Sequence, residues 1–128
     1  MHSGKILKDK MRGGQVCLGT YVTFTDPAVI LALAGSGLDF VWIDTEHYPM
    51  NIETVQMHMV ACEQARVAAI VRVPWNDHVV IKTTLDAGAH GVIIPMIRNA
   101  EEARQAVAAC KYPPLGIRGS GPRHRSNY

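Results

Sequence analysis

Apolar runs of strand length alternate with segments of helix length four times along this 128-residue chain. The four runs are residues 16–24, 40–43, 68–73 and 91–96, and each precedes a segment with apolar residues at helical spacing. Strands that alternate with helices are joined by crossover connections, and such connections favour a parallel sheet. Because the runs are apolar throughout, we expect helices to cover the sheet on one or both faces. The sequence therefore predicts an α/β domain.

Capping and turn residues set the expected limits of the four helices. Asp and Asn side chains accept hydrogen bonds at helix N-termini, whereas Gly and Pro end helices. The predicted starts are Asp26-Pro27, Asn51, Asn76-Asp77 and Asn99, and the predicted ends are Gly35 with Gly37, Gly88 and Pro113-Pro114. Glu102, three residues after Asn99, completes a capping-box pattern. Residues 115–128 lack periodicity and are rich in Gly, Arg and Ser, so we interpret them as a loop.

Two architectures accommodate four such units: a doubly wound open sheet and a (β/α)8 barrel. A dinucleotide-binding open sheet needs a Gly-rich phosphate loop after its first strand, and this chain has none there. A complete barrel takes about 250 residues. With four of the eight units, the chain is expected to form the first half of a (β/α)8 TIM barrel, as one domain over residues 1–128.

Chemically active side chains follow two of the predicted strands. One apolar run ends in Asp44, Glu46 and His47, and another carries its only cation, Arg72, near its end. Ligands of parallel sheets bind outside the carboxyl ends of the strands, where these side chains are expected to meet. Imidazole can act as acid or base near neutral pH, and guanidinium can hold a carboxylate or an oxyanion. The structural alternatives are a loop histidine, an ion-pair arginine and a turn-capping aspartate.

Composition argues against several functional classes. The net charge is only +2, and the basic residues collect near the two ends, which argues against a nucleic-acid-binding face. No apolar run approaches the roughly 20 residues that cross a bilayer. Cys17, Cys62 and Cys110 are too widely spaced for a metal clip, and their odd number is typical of a reducing compartment. We expect a cytoplasmic protein with buried thiols and without nucleic-acid or membrane partners.

Five ordered segments form a recognisable set of motifs. They are GLDFVWIDTEH (37–47), RVPWND (72–77), LDAGA (85–89), IPM (94–96) and YPPLGIRG (112–119). Together they resemble the HpcH/HpaI aldolase family, whose members include 4-hydroxy-2-oxoheptanedioate aldolase and the 2-keto-3-deoxy-sugar-acid aldolases. The resemblance extends over nearly the whole chain.

The resemblance implies a (β/α)8 barrel of the phosphoenolpyruvate-binding superfamily and a reversible aldol reaction between pyruvate and an aldehyde. Family members use a divalent cation such as Mg, Mn or Co and no Schiff-base lysine, and they commonly form hexamers. By position, His47 is expected to be the acid/base, Asp44 its partner, and Arg72 the cation that binds pyruvate and its enolate. Asp86 matches an acid near the site in some members, and Glu46 is expected to have a supporting role at most.

The resemblance also implies metal ligands that these 128 residues do not contain. In the family, a glutamate after strand five and an aspartate after strand six hold the metal, in Gln-x-Glu and Gly-Pro-x-Asp contexts. The sequence reaches Tyr128 in the loop before strand five, so no metal ligand is assigned within it. We expect a truncated chain that is inactive alone.

Two other functions stay open. A related 2-oxo acid lyase or decarboxylase fits the same scaffold, because decarboxylation of oxaloacetate also yields a pyruvate enolate. A non-catalytic half barrel could instead act as a scaffold or assemble with another copy, since its two outer strands would present open edges.

The remaining histidines and arginines are interpreted as structural or solvated. His58, His78 and His90 lie in or beside helical segments without a partner at ligand spacing, so we expect them at the surface. Arg118 could contact a substrate carboxylate, although bracing of its own loop is favoured. The last basic cluster fits an anion patch or a solvated tail equally well; it consists of Arg123, His124 and Arg125.

Overall fold

One parallel sheet organises the fold in the computed structural model, which describes residues 3–121. Its strands are β1 (Gly19–Val22), β2 (Phe40–Asp44), β3 (Ala68–Arg72) and β4 (Gly91–Ile93), hydrogen-bonded in chain order. A doubly wound sheet reverses its direction of growth at an inner strand, whereas here every crossover leads to the next neighbour. The predicted α/β fold with a parallel sheet is confirmed, and its strand order is that of a (β/α)8 barrel.

Five helices accompany the sheet within the described residues. They are α1 (Ser3–Arg12), α2 (Ala28–Ala32), α3 (Ile52–Ala65), α4 (His78–Asp86) and α5 (Ala100–Cys110). The last four are the crossovers, and consecutive members pack against each other as in the outer ring of a barrel. Over residues 3–121, no helix combines the length and the apolar character that crossing a bilayer requires.

The predicted caps form at three of the crossover helices. The Asn51 side chain accepts from the Thr54 N–H at 2.8 Å, and Asn99 accepts from the Glu102 N–H at 2.9 Å. The Asp77 carboxylate accepts from two N–H groups of the first turn of α4. Each bond satisfies a backbone donor that has no partner inside its helix. The caps fix where α3, α4 and α5 begin, just beyond the strand ends.

Helix α1 is not predicted by the apolar pattern, because most of its side chains are polar and only Leu7 is buried. Tertiary contacts hold it instead. The Lys10 ammonium lies 2.8 Å from both carboxylate oxygens of Asp39, which precedes β2. A Cβ on Gly4 would lie 2.7 Å from the His90 side chain, so the absence of a side chain allows this close approach.

Strands β1 and β4 are shorter than the apolar runs 16–24 and 91–96 predict. The four residues of β1 are those that lie opposite β2 in register. Beyond β4, Pro95 lacks an N–H group and Met96 has a φ of 58°, neither of which suits a paired strand. Apolar character therefore continues past the point where the backbone can pair.

The two faces of the sheet have different environments. Alternate strand residues on one face pack into the core beneath the helices and are at most 1% exposed: Val22, Val41, Ile43, Ala69 and Val71. The intervening residues form the other face, here termed the open face, and include Tyr21, Trp42, Ile70 and Arg72. These four side chains are only partly buried or exposed. In a barrel this face would line the interior.

Two of the three histidines expected at the surface are not there. His58 is fully buried, with Nδ1 2.8 Å from the Thr54 carbonyl oxygen and Nε2 2.9 Å from that of Phe24. The prediction was wrong because position 58 shares the inward helical face of α3 with its buried neighbours, Val55, Met59 and Cys62. His90 is partly buried, and its Nδ1 accepts from the Ala69 N–H at 2.8 Å. His78 is exposed as predicted.

The cysteines are buried to different degrees. Cys62 is fully buried, and this burial raises the pKa of its thiol to about 12. Cys17 and Cys110 are only partly buried, which departs from the expectation of three buried thiols. The predicted basic tail at 123–125 lies outside the described residues.

Candidate active site

The carboxyl ends of β2 and β3 bring the candidate residues together. Asp44 and Arg72 are the last residues of these strands and lie opposite each other in register. Parallel strands place their carboxyl ends at one edge of the sheet, so the two side chains meet there on the open face. Thr45, immediately after Asp44, fixes the strand ends because its hydroxyl donates to the Arg72 carbonyl oxygen at 2.6 Å.

Asp44 and Arg72 form a two-bond ion pair. Arg72 Nε donates to Asp44 Oδ1 at 2.9 Å, and Arg72 Nη2 donates to Asp44 Oδ2 at 2.7 Å. The Asp44 carboxylate is fully buried, and Oδ1 also accepts from the Glu46 N–H at 2.9 Å. The hydrogen bonds from Arg72 hold the pKa of Asp44 well below its usual value, and those to Asp44 raise the pKa of Arg72. Both groups are therefore charged at neutral pH.

Tyr21 on β1 is a site residue that the sequence does not predict. Its hydroxyl is hydrogen-bonded to Asp44 Oδ2 and lies 3.2 Å from Arg72 Nη2. The bond to the Asp44 carboxylate raises the pKa of the Tyr21 phenol. A tyrosine inside an apolar run gives no signal of chemistry by itself. Only the register, which pairs Tyr21 with Trp42 on the open face, shows that it points toward the site.

Trp42 lies beneath the arginine. The Arg72 guanidinium carbon is 5.1 Å from the Trp42 ring centroid, within the range of a cation–π contact. The Tyr21 ring meets the same indole edge-on, with centroids 5.1 Å apart. The cation is thus held by a carboxylate, a phenol and an aromatic face.

His47 has Glu46 beside it, whereas Asp44 was the expected partner. The His47 imidazole is 65% exposed, and its Nε2 lies 3.5 Å from Glu46 Oε2. The same Glu46 oxygen lies 3.2 Å from Arg72 Nε. The Asp44 carboxylate is directed along the sheet face, where Arg72, Tyr21 and the Glu46 N–H are its recorded partners. Glu46 therefore links the imidazole to the ion pair.

The structure does not bring Asp86 to the other candidates. It ends α4, and crossover helices run antiparallel to the strands, so it lies toward the opposite edge of the sheet. Asp86 Oδ1 accepts from Arg118 Nη2 at 2.6 Å, and the Arg118 guanidinium also lies 4.8 Å from the Tyr112 ring centroid. These contacts match the predicted role of Arg118 in bracing its loop.

The described residues do not fit a metal centre by themselves. Between residues 3 and 121, no group of three His, Cys, Asp or Glu side chains is placed to hold a metal ion. Both Asp44 oxygens accept protein hydrogen bonds, and Glu46 faces Arg72 and His47. What this edge offers is an anchored cation next to an exposed imidazole. That combination can bind a small anion and transfer a proton beside it.

Known proteins share both the sequence and the fold. The chain is 44% identical over 114 residues to 4-hydroxy-2-oxo-heptane-1,7-dioate aldolase of Salmonella dublin, covering 89% of this chain and 43% of that protein. A crystal structure of an HpcH/HpaI aldolase from Desulfitobacterium hafniense DCB-2 matches with a TM-score of 0.84 and 34% identity, over 90% of this chain and 45% of that one. The citrate synthase SbnG matches with a TM-score of 0.84 and 37% identity, over 91% and 47%.

These likenesses cover most of this chain and less than half of each of those relatives. They include the strand ends that carry Asp44 and Arg72, because the model of one protein family matches residues 18–126. Sequence, strand order and structural likeness agree, and the chain belongs to the HpcH/HpaI aldolase/citrate lyase family.

Proposed function

We propose that the protein is a metal-dependent pyruvate aldolase that cleaves 4-hydroxy-2-oxo acids to pyruvate and an aldehyde. The observation that supports this most is the Arg72 cation, fixed by Asp44 at a strand end with the His47 imidazole nearby. The aldolase named among the relatives acts on a compound of this class. Because the chain spans less than half of that relative, the activity belongs to the proposal.

The proposed reaction needs one proton acceptor and one site for negative charge. Neutral His47 takes the proton from the C4 hydroxyl, the C3–C4 bond breaks, and its electron pair passes to the C2 carbonyl oxygen as an enolate. The C4 carbon leaves as the aldehyde, and protonation of the enolate at C3 gives pyruvate. Arg72 binds the carboxylate and offsets the enolate charge. Glu46 stabilises the protonated imidazole through the 3.5 Å contact.

A divalent metal would supply further charge stabilisation, as is common in reactions that form enolates. The described residues do not form its site, so no step of the proposal on this chain passes through the metal. Hexamer formation and a cytoplasmic location are parts of the same proposal that follow from the family resemblance.

Substitution of His47 tests the proton-transfer role. In the protein expressed from its complete gene, with a divalent metal supplied, His47→Ala should lower aldol cleavage by about 10²- to 10⁴-fold. Pyruvate release from a 4-hydroxy-2-oxo acid, coupled to lactate dehydrogenase, measures this. His78→Ala is the matched control, since His78 is also exposed and lies in α4 away from Arg72. Near-parent turnover in His47→Ala would remove His47 from the mechanism.

A lyase or decarboxylase that acts on oxaloacetate is the second candidate. The likeness to a citrate synthase supports it, because the shared scaffold is not confined to proteins named aldolases. Loss of carbon dioxide from oxaloacetate also leaves a pyruvate enolate that Arg72 would stabilise. Product analysis separates the two: rapid release of carbon dioxide without aldehyde production from any 4-hydroxy-2-oxo acid favours the decarboxylase.

A further inference from the structure

Tyr21 completes the hydrogen bonding at one end of the Arg72 guanidinium. A guanidinium has five N–H donors: one on Nε and two on each terminal nitrogen. Nε donates to Asp44, and Nη2 donates both to Asp44 at 2.7 Å and to the Tyr21 hydroxyl oxygen at 3.2 Å. Three of the five donors are therefore engaged by two side chains of the protein.

The phenol also contacts the other member of the ion pair. Its hydroxyl is hydrogen-bonded to Asp44 Oδ2, the oxygen that accepts from Arg72 Nη2. Tyr21 thus donates to the carboxylate and accepts from the guanidinium, and the three groups close a ring. The Trp42 face below the cation restricts motion out of the guanidinium plane, while the ring restricts motion within it.

One nitrogen of the cation is left for a ligand. Within residues 3–121, the recorded hydrogen bonds and ion pairs of the Arg72 guanidinium involve Nε and Nη2, and none involves Nη1. An incoming carboxylate can meet Nη1 without displacing a protein group. Binding through Nη2 as well would require the Tyr21 oxygen to move away.

We propose that Tyr21 is a positioning residue that fixes the Arg72 guanidinium so that Nη1 faces the carboxylate of a bound 2-oxo acid. The substrate class rests on the proposed function, whereas the fixing of Arg72 does not depend on it. Pre-organised donors bind an anion more tightly than mobile ones, because less rotational freedom is lost on binding. The Tyr21 hydroxyl therefore contributes to affinity through Arg72 and not through its own contact with the ligand.

A double-mutant cycle tests this role in the protein expressed from its complete gene. Calorimetric titration with pyruvate and with oxamate, in the presence of Mg²⁺, gives Kd for the parent, Tyr21→Phe, Arg72→Lys and the double variant. Tyr21→Phe keeps the aromatic contact with Trp42 and should raise both Kd values about fivefold to tenfold. In the Arg72→Lys background, the same change should alter Kd by less than about twofold, since the fork is already lost.

Tyr48→Phe is the matched control. The Tyr48 ring packs edge-on to Tyr21, with centroids 6.1 Å apart, and it is similarly exposed. Removal of its hydroxyl should leave both Kd values at the parent level. An unchanged Kd in Tyr21→Phe would overturn the proposal. Equal losses in the Arg and Lys backgrounds would also overturn it, because Tyr21 would then contact the ligand directly.

A second measurement separates this proposal from the proposed function. Nitrogen-15 NMR of the ligand-free protein follows the Arg72 Nε–H signal, which should be sharp and slow to exchange in the parent. In Tyr21→Phe it should exchange at least several-fold faster. If the parent binds neither pyruvate nor oxamate, the proposed function fails, and an Nε–H signal unchanged by Tyr21→Phe would then overturn the positioning role as well.

Discussion

At the scale of single residues, Asp44 has a pH-dependent effect on stability. Its folded-state pKa lies below its unfolded-state value because Arg72 donates to its charged form. The contribution is complete above about pH 4, near the pKa of an unfolded aspartate, and declines as pH falls through the folded-state pKa. Asp44→Asn should therefore lower the free energy of unfolding by roughly 3 kcal/mol at pH 7 and by less at pH 3.

Urea titration of parent and variant at both pH values measures this difference. The control is Asp9→Asn, whose carboxylate pairs with Lys5 on the exposed surface of α1 and should leave stability near the parent value. A difference between parent and Asp44→Asn that is the same at pH 3 and pH 7 would contradict the assignment of a charged Asp44 carboxylate.

His58 stabilises the fold by joining two elements. Its ring lies between the carbonyl oxygens of Thr54 in α3 and of Phe24 in the loop after β1. His58→Ala would leave a cavity and two carbonyl groups without their recorded imidazole contact. We expect the free energy of unfolding to fall by roughly 2–4 kcal/mol, measured by urea titration. His78→Ala, at an exposed position, should change it by less than about 0.5 kcal/mol, and a similar small loss for His58→Ala would contradict this account.

Sequence reasoning succeeds for residues whose role follows from local spacing and misses those placed by tertiary contacts. Asp44, Arg72 and His47 could be selected because they end apolar runs. His58 could also have been predicted as buried, since it shares helical spacing with Val55 and Met59. Tyr21 could not, because its partners are 23 and 51 positions away along the chain.

At the scale of elements, caps and periodicity predict the helices well, and strand ends are harder. The capping residues recognised in the sequence are the ones whose side chains bond to α3, α4 and α5. Strand length depends on the neighbouring strand, which no single segment contains; β1 therefore has fewer residues than its apolar run. Helix α1 is held by contacts such as Lys10 with Asp39 that periodicity does not show.

The cap of α5 offers a direct test at this scale. Asn99→Ala removes the acceptor for the Glu102 N–H, so the free energy of unfolding should fall by about 1 kcal/mol. Asn99→Ser retains a side-chain oxygen at the N-cap and should recover most of that loss. Thermal or urea unfolding of the three proteins provides the comparison, and equal stability of the Ala and Ser variants would contradict a capping role.

At the scale of the whole molecule, strict alternation of strands and helices, together with chain length, predicts half of a barrel. The parallel order of the four strands and the likeness to HpcH/HpaI aldolases agree with that prediction. The sequence also indicates which edge of the sheet carries the site. The pairing of side chains within it could not be predicted, because Glu46 and His47 lie in a loop whose path depends on tertiary packing. A non-catalytic scaffold remains the alternative to an enzyme on this fold.

Exchange of the pyruvate methyl protons tests the central claim most directly, because it needs no knowledge of the aldehyde. The protein expressed from its complete gene is incubated with pyruvate and a divalent metal in D₂O, and the methyl signal is followed by proton NMR. An enolate-forming site predicts deuterium incorporation well above the protein-free rate, with loss of at least a hundredfold in Arg72→Ala. Exchange no faster than in the protein-free control would contradict the account.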